Sequence, residues 1–573
     1  MRNYFVISMV AGVCAMQPVL AQNSTQNALD EEEFRLPELD LPEDRLSAMP
    51  SVQIQRFEFN GNQAIPTEVL RQQVSGYEGR EISAEELQEV RNIITRHYVD
   101  QGYINSGAII PDQEVVSGVV RLDIVEGRLT QVNYLKQEGN RLRESYIKGR
   151  LQADTGGILN TKQLQERLQI LQQNPLVRRF DAELGPGLRR GEASLNLQVD
   201  EARAWDLNFN VNNHRSPSVG AVRGELEFRH RNVAGWGDTV YARYGLAEGL
   251  DDYTLDYSVP ITSRDTTIGI HLESSDSQVV SEPFNQLDVE SEATTYSISI
   301  KHPFYKRYTE DFHYKVFDAG ISLERRNSKT FLLGRGFSFP PLAEEQNGES
   351  DITAIRLTQN WLDRSRTRVV AAASTFGFGI DALDSTINDD INSQTGEPME
   401  EPDSKFVTWV GQFRWVQRLE NFRNSQLWVR ADAQWASEDL LPLEKFAIGG
   451  ASTVRGYREN QLTRDMGVVL SVEVQIPVFE LPIPGLSGEG DGMISIAPFV
   501  DYGWGENKNL ATPNPKSIYS VGLGLLWDIG DFAEFELYWG ESLNDSGIPT
   551  PEDSDIQDDG LHFMLRIKIA EFF

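Results

Sequence analysis

The stretch "GGASTVRGYREN" (residues 449–460) sets one arginine, Arg455, in a glycine-rich segment between two runs of alternating apolar and polar residues. Arginine carries a planar, permanently charged fork that can hold a carboxylate by two parallel hydrogen bonds. A carboxylate suited to it stands in "MISIAPFVDYGWG", residues 493–505. Alternation there puts Ile494, Ile496, Val500 and Tyr502 on one face. Ser495, Ala497, Phe499, Asp501 and Gly503 fall on the other. An acid on an inner wall, away from water, needs a cation or a hydrogen-bond donor. Arg455 reaches Asp501 only if its loop folds back, and Gly449, Gly450 and Gly456 give the backbone that freedom. The competing reading is a solvated arginine in a surface loop.

Other chemistry is thin. The seven histidines (97, 214, 230, 271, 302, 313 and 562) show no metal-ligand spacing, and no Ser/His/Asp set is recognisable. "GGASTVRGY" lacks the lysine and following helix of a phosphate-binding G-x-x-x-x-G-K-[ST] loop. The expectation is no catalytic residue, no metal, no cofactor and no enzyme. The chain has 573 residues with 53 Lys+Arg against 86 Asp+Glu, a net charge of −33. That argues against nucleic acid as a partner, because a phosphate backbone needs a basic patch.

The first residues, "MRNYFVISMVAGVCAMQPVLAQ", read as a secretory signal peptide over 1–21, with cleavage after Ala21. Val13 is bulky for a lipoprotein anchor at Cys14, the one cysteine, so the mature chain is expected to have neither disulfide nor thiolate site. No later stretch reaches the ~18 consecutive apolar residues of a transmembrane helix. An exported chain of this kind is either soluble or a β-barrel.

Residues 22–50 are polar and acidic, then punctuated by Pro37, Pro42 and Pro50, which suggests a short helix within Ser24–Arg35 and a linker. Two modules of one design follow, at 51–128 and 129–203. In the first, "SVQIQRFEFNG" reads as a strand, and "PTEVLRQQVS" and "SAEELQEVRNIITRHYVDQGY" as helices. Ser83 and Glu86 form a capping box for the longer helix, whose apolar face is Leu87, Val90, Ile94 and Tyr98. "SGAIIPD" and "GVVRLDIVEG" are closing strands, giving β-α-α-β-β. The second module repeats that order, with Leu164, Leu168 and Leu171 aligned on its second helix.

From Trp205 onward the period becomes two and stays so. About sixteen such segments fill 204–573. The even-numbered connections, such as "RNVAGWGD", "TSRD", "DRSRT" and "DIGD", are short. Several odd ones are long and acidic: residues 275–293 carry five acids, 381–404 eight and 541–560 seven, none with a base. Loop length sorted by parity marks a barrel in an outer membrane. The fold class is therefore an all-β transmembrane barrel of about 16 antiparallel strands behind two α+β modules. "GLHFMLRIKIAEFF" ends the chain on Phe573, which resembles the terminal aromatic by which such barrels are recognised for insertion by the barrel assembly machinery.

Taken together, two β-α-α-β-β modules, a barrel, "VRGY" (Val454, Arg455, Gly456, Tyr457) in the sixth long loop and Phe499, Asp501 and Gly503 in strand thirteen resemble the two-partner secretion transporters. That is the haemolysin-activator and filamentous-haemagglutinin exporter family. "NVAGWGD" (232–238) also resembles the family's turn between strands two and three. The resemblance implies periplasmic POTRA domains, an outer-membrane barrel, and pairing of Arg455 with Asp501 inside the bore. It implies as partners a large secreted exoprotein (adhesin, cytolysin or contact-dependent toxin) and outer-membrane lipid. The client would add a strand at an open edge, either Ser106, Gly107, Ala108, Ile109 and Ile110 or the equivalent strand of module two. Module two lies next to the barrel mouth and is favoured. Family members usually begin with a long plug helix; the dozen residues available here would make one ~18 Å long, against an apolar band of ~25 Å. The alternatives are a superfamily member that assists outer-membrane protein assembly, or a passive porin.

Overall fold

The computed structural model describes residues 45–569, apart from 153–156, 190, 310–311, 340–346, 389–400, 486–487, 489–490 and 548–554. The expected signal peptide, the Ser24–Arg35 helix and the terminal Phe573 lie outside the described residues.

Each N-terminal module packs two helices on a three-stranded mixed sheet. In the first, α1 (Thr67–Val74) and α2 (Ala84–Asp100) lie on Arg56–Asn60, Gly107–Ile109 and the central strand Val119–Val125. Ser83 accepts from the Glu86 N–H at 3.3 Å and its own N–H donates to the Glu86 carboxylate at 2.9 Å, so the capping box forms. Leu87, Val90, Ile94 and Tyr98 turn inward onto Phe57, Val120 and Leu122. In the second, α3 (Glu144–Gln152) and α4 (Thr161–Gln172) cover Arg128–Leu135, Val177–Pro186 and the central Glu192–Glu201.

One strand differs from the sequence expectation. "SVQIQRFEFNG" is two pieces, Ser51–Gln53 and Arg56–Asn60. The first pairs with Glu81–Ser83 and the second with Val119–Val125. Two partners in two sheets require a bend, which the buried Ile54 fills.

The barrel has sixteen through-running strands. The first eight are β1 (Trp205–Asn212), β2 (Arg223–His230), β3 (Thr239–Ala247), β4 (Leu250–Pro260), β5 (Thr267–Gln278), β6 (Val289–Tyr308), β7 (Tyr314–Leu332) and β8 (Glu349–Arg364). Then come β9 (Arg368–Gly379), β10 (Val407–Leu419), β11 (Ser425–Ala436), β12 (Met466–Glu480), β13 (Met493–Glu506), β14 (Ser517–Asp528), β15 (Ala533–Ser542) and β16 (Leu561–Lys568). Met564 of β16 faces Asn212 of β1 and Lys568 faces Asn208, which closes the cylinder and leaves no free edge.

The wall is inside out relative to a soluble domain. Leu255, Ile270, Ile298, Val472, Val500 and Leu523 are exposed on the outside, while Asp252, Thr254, Ser471 and Asp501 are buried within. An outward apolar band around a polar interior is the lipid face of a membrane barrel.

Loop lengths follow parity with two exceptions. The second outer loop is only residues 248–249, and the inner turn 481–492 is long. Of residues 275–293, expected as an acidic loop, only 279–288 lie between strands: β5 runs to Gln278 and β6 starts at Val289. At 20 and 19 residues, β6 and β7 exceed the ~9–11 that cross a bilayer. Their outer ends carry polar residues on both faces, so the hydrophobic period fades while the ladder continues.

Module two is seated on the barrel through the turn "NVAGWGD". The Arg143 N–H donates to Gly235 O at 2.9 Å, its Nε donates to Ala234 O at 3.0 Å, and its guanidinium lies 4.5 Å from the Trp236 ring centre. A Cβ on Gly237 would come within 2.7 Å of the Tyr146 ring. Beside it, Asp265 in the β4–β5 turn pairs with Arg150 of α3 and, at 2.7 Å, with Lys306. Burial pushes the Asp265 carboxyl up, but Lys306 and Arg150 outweigh it and hold it below the usual carboxylate range.

Candidate functional site

Residues 437–465, between β11 and β12, fold into the bore. The tip is anchored on β12 and β13. Arg455 donates from Nε to Asp501 Oδ2 at 2.8 Å and from Nη2 to Asp501 Oδ1 at 2.9 Å. Its backbone N–H also donates to Asp501 Oδ2, at 3.0 Å. A second acid takes the other side of the fork: Nη1 donates to Glu473, and Nη2 reaches Ser471 Oγ at 3.1 Å. The guanidinium lies 3.6 Å from the Phe499 ring centre and 4.7 Å from that of Tyr538, whose rings meet edge to face. Arg455 is 5% exposed and Asp501 fully buried, so the charges rely on each other rather than on water.

The neighbours of Arg455 follow from close packing. Val454 is fully buried against Ile448, Leu462, Val469 and Ile518. A Cβ on Gly503 would stand 2.8 Å from Val454 Cγ2, which accounts for the missing side chain there. Gly456 has φ +90 and its would-be Cβ lies 2.7 Å from Gly540 O, so backbone meets backbone at this point. Tyr457 donates its hydroxyl to Asn544 Oδ1 at 2.8 Å and carries the tip toward β14 and β15. Arg458 pairs with Asp558.

The base of the same loop is anchored across the bore. Glu444 accepts from Arg356 of β8 at 2.6 Å and lies 3.2 Å from Arg326 of β7, while Arg326 donates to Leu443 O at 2.7 Å. Glu324 pairs with the same two arginines. The loop is therefore a strut, tied at one end to β7–β8 and at the other to β12–β15.

The structure thus brings together Val454, Arg455, Gly456 and Tyr457 with Phe499, Asp501 and Gly503. Ser471 and Glu473 stand on the polar face of the β12 alternation, so the pattern placed them inward without naming their partner. Tyr538 and Gly540 meet the tip only through the ladders that set β14 between β13 and β15, which no local pattern encodes. Glu444, Arg326 and Arg356 meet across the bore for the same reason.

The proposed client edge Ser106–Ile110 holds a three-residue strand, Gly107–Ile109, at the margin of its sheet. Its free side is partly used, because the Ala108 N–H donates to Thr95 Oγ1 of α2 at 3.1 Å. A groove of about 390 Å³ lies between that strand and Gln88, Arg91 and Asn92. In module two, Val177–Pro186 is a marginal strand of ten residues paired only with Glu192–Glu201.

A closed barrel with an outward apolar face, an inward, arginine-anchored loop and two N-terminal α+β modules defines an outer-membrane barrel protein. A family model described as "Haemolysin secretion/activation protein ShlB/FhaC/HecB" matches residues 191–526, and one described as "POTRA domain, ShlB-type" matches residues 52–127. The chain belongs to the first of these families, the two-partner secretion transporters, which export partner exoproteins across the outer membrane. Among curated relatives, the heme/hemopexin transporter protein HuxB of Haemophilus influenzae strain 86-028NP is 21% identical over 84% of this chain and 82% of its own. The outer membrane transporter CdiB of Dickeya dadantii is 19% identical over 82% and 80%. Among solved structures, CdiB from Escherichia coli superposes with a TM-score of 0.67 at 17% identity, covering 91% of both chains. The chain is an outer-membrane transporter with its POTRA modules in the periplasm.

Proposed function

We propose that this chain captures its partner exoprotein at the outer edge of Val177–Pro186 and passes it through the bore without ATP. An open edge offers main-chain hydrogen bonds that make little demand on sequence, which suits an unfolded client. The edge in module one is short and partly used by Thr95, so it serves as a secondary contact. Folding of the exoprotein outside the cell gives the movement its direction. The outward apolar belt meets outer-membrane lipid, and the barrel assembly machinery reads the C-terminal strand during insertion.

Arg455 and Asp501 hold the loop in its working position; they do no covalent chemistry. The observation that carries this reading is the two-pronged Arg455–Asp501 contact in a fully buried site. Replacing Arg455 with alanine in cells should stop secretion while the barrel still reaches the outer membrane. Unchanged secretion would refute the role. Deleting the chain should remove one large polypeptide from the medium; loss of many outer-membrane barrels would point to an assembly factor.

A further inference from the structure

The two walls of the bore differ at the periplasmic end. A cavity of about 780 Å³ opens there between the ends of α3 and α4 and the inner face of β3–β8. The ladders place Thr239, Ser258, Gly269, Ser299 and Ser322 side by side in one row, which ends at Arg356. The row below continues the pattern with Thr267, Gly320 and Thr358, interrupted by Lys301. Apart from Arg356, these residues line the cavity.

The row from Thr239 to Ser322 is uncharged, while Lys301, Lys306, Arg150, Arg231, Asp265 and Asp318 line the rest of the cavity. A serine or threonine hydroxyl both donates and accepts, so it can exchange hydrogen bonds with either backbone group of a passing chain. Between Thr239 and Ser322 the row itself carries no charge to trap that chain, and glycine and serine leave room for an extended backbone. The opposite wall is covered: Glu473, Asp501, Phe499 and Tyr538 are packed there against the loop tip.

We propose that the exoprotein threads between module two and β3–β8, and slides in extended form along this hydroxyl row. The inference rests on the export reading above and assigns the path within it. The row ends at Arg356, which holds Glu444 at 2.6 Å, so the moving chain meets the base of the loop and not its tip. The base yields while the Arg455 anchor stays closed.

A photo-crosslinking amino acid placed at 258, 299 or 322 of the full chain in cells tests the path. Positions 475 and 536, on the inner face of β12 and β15, are the comparison. The probe is the polypeptide that vanishes from the medium when this chain is deleted. Adducts with it at 258, 299 and 322, and none at 475 and 536, are expected. Adducts of equal yield on both walls, or only at 475 and 536, would overturn the hydroxyl path and leave export through the bore intact. Adducts of 258, 299 and 322 with the chain's own residues 22–44 would also overturn it, by giving the cavity another occupant. No adduct at any of the five positions during active secretion would overturn both the path and the passage through the bore. Current through the full chain in a planar bilayer gives a second reading: a cationic thiol reagent should lower it for Ser299→Cys and leave Glu536→Cys unchanged. The reverse order would contradict the path.

Discussion

The wall formed by β12–β15 and the wall formed by β3–β8 face each other across one bore and are built to opposite rules. The first concentrates buried charge, aromatic rings and backbone-to-backbone packing around Arg455. The second carries, toward the periplasmic end, an uncharged row of hydroxyls with one glycine, from Thr239 to Ser322. A charge network buried this deeply is costly to disturb, whereas a neutral hydroxyl surface forms and breaks contacts at little cost. One wall holds the tip of the loop; the other holds its base through Arg326 and Arg356 and carries beneath it the row assigned to the moving chain. The same sixteen-strand ladder thus carries a fixed half and a permissive half.

The largest effect should come from Arg455→Ala, which leaves Asp501 and Glu473 buried without their cation. Removing one partner of a buried pair costs ~3–5 kcal/mol, read as earlier heat-unfolding of the barrel on a semi-native gel, together with lost secretion. Asp501→Asn should cost less, because Glu473 and Ser471 still hold the guanidinium. The Arg455→Ala/Asp501→Ala chain should be no less stable than Arg455→Ala alone; additive losses would break the claim that the two act as one unit. Next, Gly456→Ala should cost ~1–3 kcal/mol, since a side chain at a positive φ must also push Gly540 away. The same gel reads this, and an unchanged unfolding temperature would show that the tip is not packed on β15.

Glu444→Gln sharpens the contrast, because it loosens the base of the loop and spares the tip. A weakened charged hydrogen bond costs ~1–3 kcal/mol, and bilayer recordings should show larger or more frequent openings. The smallest effect belongs to the junction with module two. Asp265 is held below the usual carboxylate range, so its contribution is present above the unfolded value of ~3.9 and is lost as pH falls through its lower folded value. Protease cutting between module two and the barrel should therefore be flat from neutral pH down to mildly acid pH. Asp265→Asn should quicken cutting slightly at neutral pH, by the ~1 kcal/mol or less of a partly exposed pair.

Much of the site could be read from the chain because its signals are local. Alternation in "MISIAPFVDYGWG" assigns Asp501 inward, and the helix of module one announces its start with Ser83 and Glu86. The partners set by closure of the cylinder were not legible. Gly540, Tyr538 and Arg356 reach the loop through strand order and register, and neither leaves a trace within any ten-residue window. The outer ends of β5 and β6 read as loop in the sequence because a ladder outside the membrane no longer needs an apolar face.

The central claim is that the tip of residues 437–465 sits inside the bore, and labelling of intact cells tests it most directly. A membrane-impermeant maleimide should label the Asn285→Cys chain, whose residue is exposed on an outer loop, and leave Val454→Cys unlabelled until the barrel is unfolded. Equal labelling of both chains on folded, secreting cells would place the loop outside and contradict the account.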